Sequence, residues 1–430
     1  MDMYVFLEGL FLAVMLLALN RKAVESVGAF GIIMGYALVF PVVAFIVPEV
    51  NAGPLRLDAG RTFLVLFWGI FAILALKNPT KIRLSRMALA VIVYNLYLIV
   101  SSAMNGVFYK NEVVNFFLPV GFVLLLDNID FSPRHLKLFE KVMAVLVVIV
   151  AIVSFLQLTV DPYLFSNAYP DQGSRLYQID RSLFRNRSVF AGVGMNEGGI
   201  AMGFLALIMI FKNFYRVRMK YVLLSGMILF SVLVTFSRYV WLMPVIGLIF
   251  LFYFKYRGER RALVFMVTLL AIGSVSWIYT SGPPAGGDSA LGTVAARSVD
   301  GRIQSMDIYF HHFWGKRMIF GFGDWTQQSG AFYPYGRHTV HNGILDVLFR
   351  GGFVGLGLFF WVMWHIFRRG REVFRRTGNP VFMVFVFIYL FINTTAGLNF
   401  FHYFGFLVML AYLVLYYRLV PDRGHAERLE

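Results

Sequence analysis

The sequence predicts an all-α polytopic membrane protein, with about 12–13 transmembrane helices and two long loops on one side. Three observations support this fold class. Hydrophobic residues make up 59% of the 430 residues, and charged residues make up only 14%. The apolar residues occur in long runs, and most basic residues lie between those runs. So much apolar sequence exceeds what a water-soluble core needs, and it indicates that lipid surrounds most of the chain.

About thirteen apolar runs approach the length needed to cross a membrane. They are expected to be helices, because an isolated strand cannot pair its backbone groups in lipid and a β-barrel would show short alternating segments. The first run lacks the basic start and the cleavage site of a signal peptide, so we interpret it as a retained span. The runs are 4–20, 27–47, 62–76, 87–105, 113–126, 142–159, 191–211, 221–236, 239–254, 262–279, 343–367, 381–397 and 404–417.

Seven basic segments are predicted to be connections on one side of the membrane. Together they hold 25 of the 39 Lys and Arg residues, so the positive-inside rule makes this side, and the C-terminus with it, cytoplasmic. The formal net charge of +16 therefore indicates topology rather than nucleic-acid binding. The segments are 20–22, 77–86, 134–141, 212–220, 255–261, 368–376 and the tail from Arg418.

The opposite side carries two long loops, over residues 160–190 and 280–342. Of the 14 Lys and Arg residues outside the basic segments, 12 are Arg. Arginine binds phosphate with two parallel hydrogen bonds, so its selective retention favours an anion site on this side. With no repeat or low-complexity stretch, residues 1–430 are predicted to be one integral membrane domain, and the loop 280–342 is predicted to carry part of the site.

Four groups of polar residues lie at the outer ends of the predicted spans. Arg238 is the most informative, because its turn is only a few residues long and a guanidinium at that depth is costly unless it is paired. It fits an anion site for a lipid-linked diphosphate, although contact with lipid headgroups is a simpler alternative. The other candidates for binding diphosphate or glycan are Arg185, Arg187, Arg302, Arg317, His338 and Asn342.

His341 is the candidate catalytic base, because it follows a long loop at the membrane edge. A neutral imidazole can take a proton from an attacking hydroxyl near neutral pH. A metal site is the weaker alternative, since His338 and His341 have no third ligand at a recognisable spacing and the chain has no cysteine. No Walker A motif is present either, so ATP is not expected to drive the protein. We therefore expect no cofactor.

Residues 343–367 combine an apolar run with two charged side chains. Asp346 and Arg350 are four residues apart, so they share one helix face and are predicted to form a structural pair rather than to bind a ligand directly. Gly351 and Gly355 have the spacing that lets two membrane helices approach closely.

Three features of residues 160–400 resemble the O-antigen ligase and polymerase family, membrane glycosyltransferases that use undecaprenyl-diphosphate-linked glycans. One is the Ser-Arg dipeptide at Ser237 and Arg238, and another is an outer loop with Arg302 and a Gly-Phe-Gly at 321–323. The third is His341-Asn342 followed by nine residues and the pair Gly352 and Gly355. The last motif is the most specific of the three.

The resemblance implies a site at the periplasmic face of the bacterial inner membrane. Arg238 and Arg302 would hold the donor diphosphate, Arg187 would assist, and His341 would activate the acceptor hydroxyl. The reaction would invert the sugar C1 and release undecaprenyl diphosphate without metal or cofactor. The acceptor would be a lipid A core sugar in a ligase, or a second lipid-linked glycan in a polymerase. Leu356-Gly357 departs from the ligase pattern, and the Arg187-x10-Gly198 spacing is similar to the polymerase branch, so the branch stays open.

A secondary transporter or lipid-glycan flippase is the alternative from another class. The number of spans fits that class, and Glu8 and Glu197 would then be the functional acids. Against it, the polar residues concentrate at the outer surface rather than mid-membrane, and the two halves show no matched pair of interrupted helices. A scaffold for glycan assembly is a third reading, but it leaves the arginines and histidines unexplained.

Overall fold

Ten α-helices make up most of the described part of this computed structural model. The structure describes residues 30–31, 50–52, 55–57, 59–77, 79–106, 110–161, 195–214, 216–234, 238–255, 307–323, 343–395 and 404–419. In chain order the helices are α1 (Ala59–Lys77), α2 (Arg86–Met104), α3 (Lys110–Asn128), α4 (Pro133–Thr159), α5 (Met195–Phe211), α6 (Met219–Leu233), α7 (Arg238–Lys255), α8 (Gly343–Thr377), α9 (Val381–Thr395) and α10 (Phe404–Leu419).

Four shorter elements accompany the helices in the described part of the chain. Strands β1 (Val50–Ala52) and β2 (Leu55–Leu57) pair antiparallel ahead of α1, with Val50 opposite Leu57. A single 3₁₀ turn, Pro79–Lys81, follows α1, and a π-helical turn, Tyr309–Phe313, lies in the long connection between α7 and α8.

The predicted helical membrane fold is confirmed, and ten predicted runs correspond to α1–α10. The runs 4–20 and 262–279, and all but two residues of 27–47, lie outside the described residues. Two predicted connections were wrong: 134–141 belongs to α4 and 368–376 belongs to α8. A basic segment can continue a helix beyond the lipid, and the 35 residues of α8 reach about 52 Å against a hydrocarbon core of about 30 Å.

Polar side chains cap several of the helix ends. The Ser85 hydroxyl accepts a hydrogen bond from the backbone N–H of Ala88 at 3.1 Å and caps the start of α2. At the start of α4, Ser132 and His135 bond each other's backbone N–H groups. The Asn379 side chain accepts from the N–H of Val381 at 3.1 Å and caps α9. These caps satisfy N–H groups that have no partner inside the helix.

Helix α5 is the centre of the described bundle, with α6, α7, α9 and α10 packed around it. Every residue from Ile200 to Phe211 is buried. Phe204 stacks on Phe385 of α9 with ring centroids 3.7 Å apart. Helix α8 lies between α2 and α9, so the part of the chain that carries the candidate site packs against both halves of the bundle.

Apolar side chains also cover the outside of the bundle. Ile152 and Phe155 on α4, Leu223 on α6 and Trp364 on α8 are all more than half exposed. Large exposed apolar faces are typical of surfaces that contact lipid. Among the described residues, three helices are long and apolar enough to cross a membrane by length and composition, namely α2, α4 and α8, and seven shorter apolar segments accompany them.

One end of the bundle gathers basic segments around the buried carboxylate of Asp127. The backbone N–H of Ser85 donates to Asp127 Oδ2 at 2.9 Å. Arg418 Nη2 lies 3.5 Å from Asp127 Oδ1, and Arg369 Nη2 lies 3.8 Å from the same oxygen. We call this the basic end of the bundle.

Two further basic segments meet at the same end. Lys212 Nζ, just after α5, lies 2.6 Å from Glu140 Oε1 in the first turns of α4, and Lys212 is buried. Tyr412 of α10 donates its hydroxyl to Glu140 at 3.3 Å. Described parts of five of the seven basic segments therefore lie together on one side of the bundle, as the charge pattern predicts.

Candidate functional site

The helix directions bring the starts of α7 and α8 to the same end of the bundle. Because Lys212 lies at the basic end, α6 starts there and finishes at the opposite end, which we call the far end. Helix α7 therefore begins at the far end, with Arg238 as its first residue. Helix α8 has Arg369 at the basic end, so its first residue, Gly343, lies at the far end. His341 precedes Gly343 by two residues.

A tryptophan in the first turn of α7 contacts the end of α6. The indole N–H of Trp241 points at the last carbonyls of α6, with Nε1 lying 3.0 Å from both Val232 O and Leu233 O. Carbonyls at a helix end lack partners inside the helix, so this side chain acts as a cap. It ties the first turn of α7, where Arg238 lies, to the end of α6.

Helix α8 is broken at Gly352, inside its apolar part. Gly352 has φ 60° and ψ −162°, a backbone conformation open almost only to glycine. In an unbroken helix the N–H of Phe353 would bond the carbonyl of Phe349, and the N–H of Val354 would bond that of Arg350. The break releases these four peptide groups at a depth where unpaired groups are costly.

Residues 318–323, which we call the inserted segment, supply partners for all four groups. The N–H of Phe322 donates to Phe349 O at 2.8 Å, and that of Gly323 donates to Arg350 O at 2.9 Å. In the other direction, the N–H groups of Phe353 and Val354 donate to the carbonyls of Met318 and Ile319, at 2.7 and 3.1 Å. The inserted segment thus pairs its backbone with α8 at the break in that helix.

Two glycines make this insertion possible. A Cβ on Gly321 would collide with the carbonyl of Arg350, and a Cβ on Gly352 would collide with the carbonyl of Ile319. Gly321 and Gly352 also both have positive φ, at 72° and 60°. The Gly-Phe-Gly and the first glycine of the His-Asn motif, which the sequence presents as separate features, therefore form one joint.

Three polar side chains, two on α2 and one on the residue that follows it, contact the joint from the other side. The hydroxyl of Tyr97 lies 2.7 Å from Gly351 O and 2.9 Å from Phe320 O. Ser101 Oγ lies 3.0 Å from the same Phe320 carbonyl, and Asn105 Nδ2 donates to Gly321 O at 3.4 Å. These three residues were not predicted as part of the site, although their four-residue spacing places them on one face of an apolar helix.

The pair predicted on α8 lies one turn before the break. Arg350 Nε is 3.0 Å from Asp346 Oδ2, and each side chain is only 10% exposed. The carbonyl of Arg350 also accepts the N–H of Gly323, so the residue that carries the guanidinium contacts the inserted segment through its backbone. Gly351 and Gly355 each face Tyr97 of α2, since a Cβ on either would lie 3.3 Å from Tyr97 Cε1.

Aromatic rings also attach the described segment 307–323 to α8. Phe322 stacks on Phe349 with centroids 4.9 Å apart, and Tyr309 meets the edge of the same ring at 6.2 Å. Burial raises the pKa of Tyr309 to about 12, so this phenol is neutral at physiological pH. Beyond it, exposed His311 lies 2.9 Å from Asp307.

The other predicted site residues divide into two groups. Arg317 is described: it is exposed, has a positive φ of 47°, and its guanidinium carbon lies 5.8 Å from the Phe322 ring centroid. For Arg238 only the backbone is described. Within the described ranges, no three His, Asp or Glu side chains are grouped as a metal site would need. Outside the described residues lie Arg185, Arg187, Arg302, His338, His341 and Asn342.

Comparison with known proteins finds one family. Residues 221–360 match the family model described as O-antigen ligase. The matched stretch contains α6, α7, the inserted segment and the broken first half of α8. No curated protein matches the chain.

Proposed function

Residues 221–360 form an O-antigen ligase family domain, and from this premise we propose that the chain transfers a glycan from undecaprenyl diphosphate to an acceptor hydroxyl. The acceptor is a sugar of the lipid A core. The observation that carries the proposal is that three parts of the matched stretch lie at the same end of the bundle, the far end: the start of α7, the inserted segment and the start of α8. Arg238 is the first residue of α7, and Gly343, two residues after His341, is the first residue of α8.

In the proposed reaction His341 takes the proton of the acceptor hydroxyl, whose oxygen attacks C1 of the donor sugar. The bond between C1 and the diphosphate oxygen breaks with inversion, and undecaprenyl diphosphate leaves with the electron pair. Arg238 and Arg302 bind the diphosphate and stabilise the negative charge that grows on it, and Arg187 assists. Arg185, Arg317, His338 and Asn342 contact the diphosphate or the glycan. Arginines perform the neutralisation that a divalent cation performs in other enzymes.

The joint between the inserted segment and α8 gives the site its rigidity in this proposal. A transferring enzyme needs its base and its diphosphate clamp held within a fraction of an ångström. The segment 307–323 packs on α8 through Tyr309 and Phe322, and Trp241 fixes the start of α7. These contacts support a preorganised chamber at the periplasmic face of the inner membrane.

A polymerase of the same family is the second candidate, with a lipid-linked glycan as acceptor. Its specific support is the spacing of Arg187 and Gly198 in the sequence. The acceptor that the protein uses distinguishes a ligase from a polymerase. Purified protein is given an undecaprenyl-diphosphate glycan with either lipid A core or more lipid-linked glycan, with chelator present. A single transfer to lipid A core supports the ligase, and a ladder of longer lipid-linked glycans supports the polymerase.

Two variants and one matched control test the mechanism in the same assay. His341→Ala and Arg238→Ala are expected to lower transfer by at least about a hundredfold. His311→Ala removes an exposed imidazole from the same connection and is expected to leave transfer unchanged. Full activity in His341→Ala, or no turnover of either acceptor by the wild type, contradicts the proposal.

A transporter or flippase is disfavoured by the same joint that supports the enzyme. Broken membrane helices in transporters leave peptide groups open to bind substrate or ions. Helix α8 is broken, but the four peptide groups released at the break bond the inserted segment of the same chain. Uptake measurements on Glu8 and Glu197 variants test this alternative, since lost flux with intact glycan transfer would favour transport.

A further inference from the structure

The basic end contains a cavity that the transfer reaction does not use. It has a volume of about 670 Å³ and lies between the start of α2, the α3–α4 connection, α8 and the end of α10. Three arginines and two aspartates line it: Arg83, Arg369, Arg418, Asp127 and Asp130. The lining therefore holds one more guanidinium than carboxylate.

The two aspartates cannot neutralise all three arginines. Asp127 is fully buried and accepts the N–H of Ser85, and its Oδ1 lies 3.5 Å from Arg418 Nη2 and 3.8 Å from Arg369 Nη2, so one carboxylate faces two guanidinium groups. Asp130 lies 3.5 Å from Arg83, but these side chains are 86% and 66% exposed, so water screens the pair. A cavity with excess positive charge remains, and it is suited to an anion.

The cavity is also preorganised for an anion. Arg418 is held by backbone carbonyls, since Nη1 donates to Ile129 O at 2.9 Å and Nη2 donates to Asp127 O at 2.7 Å. The guanidinium of Arg369 lies over the Tyr417 ring at 5.5 Å from its centroid. Fixed guanidinium groups lose little conformational entropy when they bind phosphate oxygens.

The position of the cavity favours a membrane lipid as the source of the anion. The apolar helices α2, α3 and α10 all begin or end beside it, so it lies at the boundary of the membrane. Leu84, which also lines the cavity, is 51% exposed, and nearby Ile82 is 41% exposed. Exposed leucine and isoleucine beside an arginine cluster fit a molecule with both an acyl chain and a phosphate.

We propose that this cavity binds the phosphate headgroup of an acidic phospholipid. Arg83, Arg369 and Arg418 donate to the phosphate oxygens, and the acyl chains run along the apolar surface at Leu84. The site is separate from the proposed transfer site, which lies at the far end, and its occupation does not depend on glycan transfer. Basic pockets between membrane helices are suited to bind acidic lipid headgroups by the same chemistry.

Native mass spectrometry of the full delipidated chain tests the proposal with phosphatidylglycerol and phosphatidylcholine at equal concentration. The wild type is expected to retain phosphatidylglycerol preferentially. Arg83→Gln and Arg369→Gln are each expected to weaken its binding about fivefold. Arg371→Gln is the matched control, because it removes the same charge from an exposed position on α8 outside the cavity. It is expected to bind phosphatidylglycerol as the wild type does.

Three outcomes contradict the proposal. One is equal retention of the two lipids by the wild type, and another is equal weakening in Arg371→Gln, which indicates unspecific surface charge. The third is displacement of phosphatidylglycerol by millimolar inorganic phosphate with equal thermal stabilisation, which indicates a free-phosphate site. Arg83 is 66% exposed, so Arg83→Gln alone still reports on binding if Arg369→Gln fails to fold.

Discussion

The backbone of Gly321 lies against the backbone of Gly352, so closely that a methyl group on either glycine would collide with the other segment. This contact joins a loop more than three hundred residues into the chain to a broken membrane helix. Through the carbonyls of Phe320 and Gly351, Tyr97 of α2 joins the same contact. The described segment 307–323 of the α7–α8 connection is therefore part of the packed bundle on the side where the candidate site lies.

Replacing either glycine of this joint is expected to disrupt it. Gly352→Ala forces alanine into a backbone conformation that costs about 1–3 kcal/mol, apart from the collision with Ile319. We expect folded stability in an SDS titration to fall by at least about 2 kcal/mol, and glycan transfer to fall by about a hundredfold. The measurements are helical signal against SDS and transfer rate at saturating donor.

Gly357→Ala is the matched control for this substitution. Gly357 lies on the same helix, is exposed, and has open space where a Cβ would be added. Alanine is the better helix former by about 1 kcal/mol, so the control should be neutral or slightly stabilised. If Gly352→Ala behaves like Gly357→Ala, α8 is not broken at this glycine.

The Tyr97 side chain of α2 is expected to stabilise the joint by its hydrogen bonds rather than by the packing of its ring. Tyr97→Phe keeps the ring and removes the hydroxyl that bonds Gly351 O. Leaving that carbonyl unsatisfied costs about 1–3 kcal/mol. The expected result is a lower midpoint of SDS unfolding and faster proteolysis of the 307–323 segment. Tyr221→Phe makes the same change near the basic end and should alter neither the midpoint of unfolding nor the rate of proteolysis. Equal proteolysis in the two variants contradicts the role of Tyr97.

Much of the fold could be predicted because hydropathy reports directly on lipid exposure. The ten described helices coincide with apolar runs in the sequence. The charge pattern also predicted that the basic segments lie on one side, and described parts of five of them do so. The break at Gly352 could not be predicted, since the sequence around it is as apolar and as rich in glycine as a packing interface. The break depends on the inserted segment, roughly thirty residues earlier in the chain. The two segments are joined by backbone hydrogen bonds, which require no particular side chains and so cannot be recognised in the sequence.

Trp241 is expected to act on transfer by positioning Arg238. Trp241→Phe keeps an aromatic ring but removes the N–H that caps α6 at 3.0 Å. The stability cost should be about 1 kcal/mol, while the transfer rate should fall by between about tenfold and a hundredfold because the start of α7 shifts. The diagnostic is kcat against KM for the donor: a positioning residue lowers kcat most. Trp364→Phe, on the exposed surface of α8, should change neither constant.

The Asp346–Arg350 pair offers a test between a structural role and a ligand role. Both side chains are 10% exposed, and removing one partner leaves a buried charge, which costs about 3–5 kcal/mol. Arg350→Met is therefore expected to lose both stability and transfer. The double variant Asp346→Leu/Arg350→Met removes both charges together. If the pair is structural, the double variant should regain most of the stability and most of the transfer rate. Regained stability with transfer still absent would instead mean that the guanidinium or the carboxylate contacts the substrate.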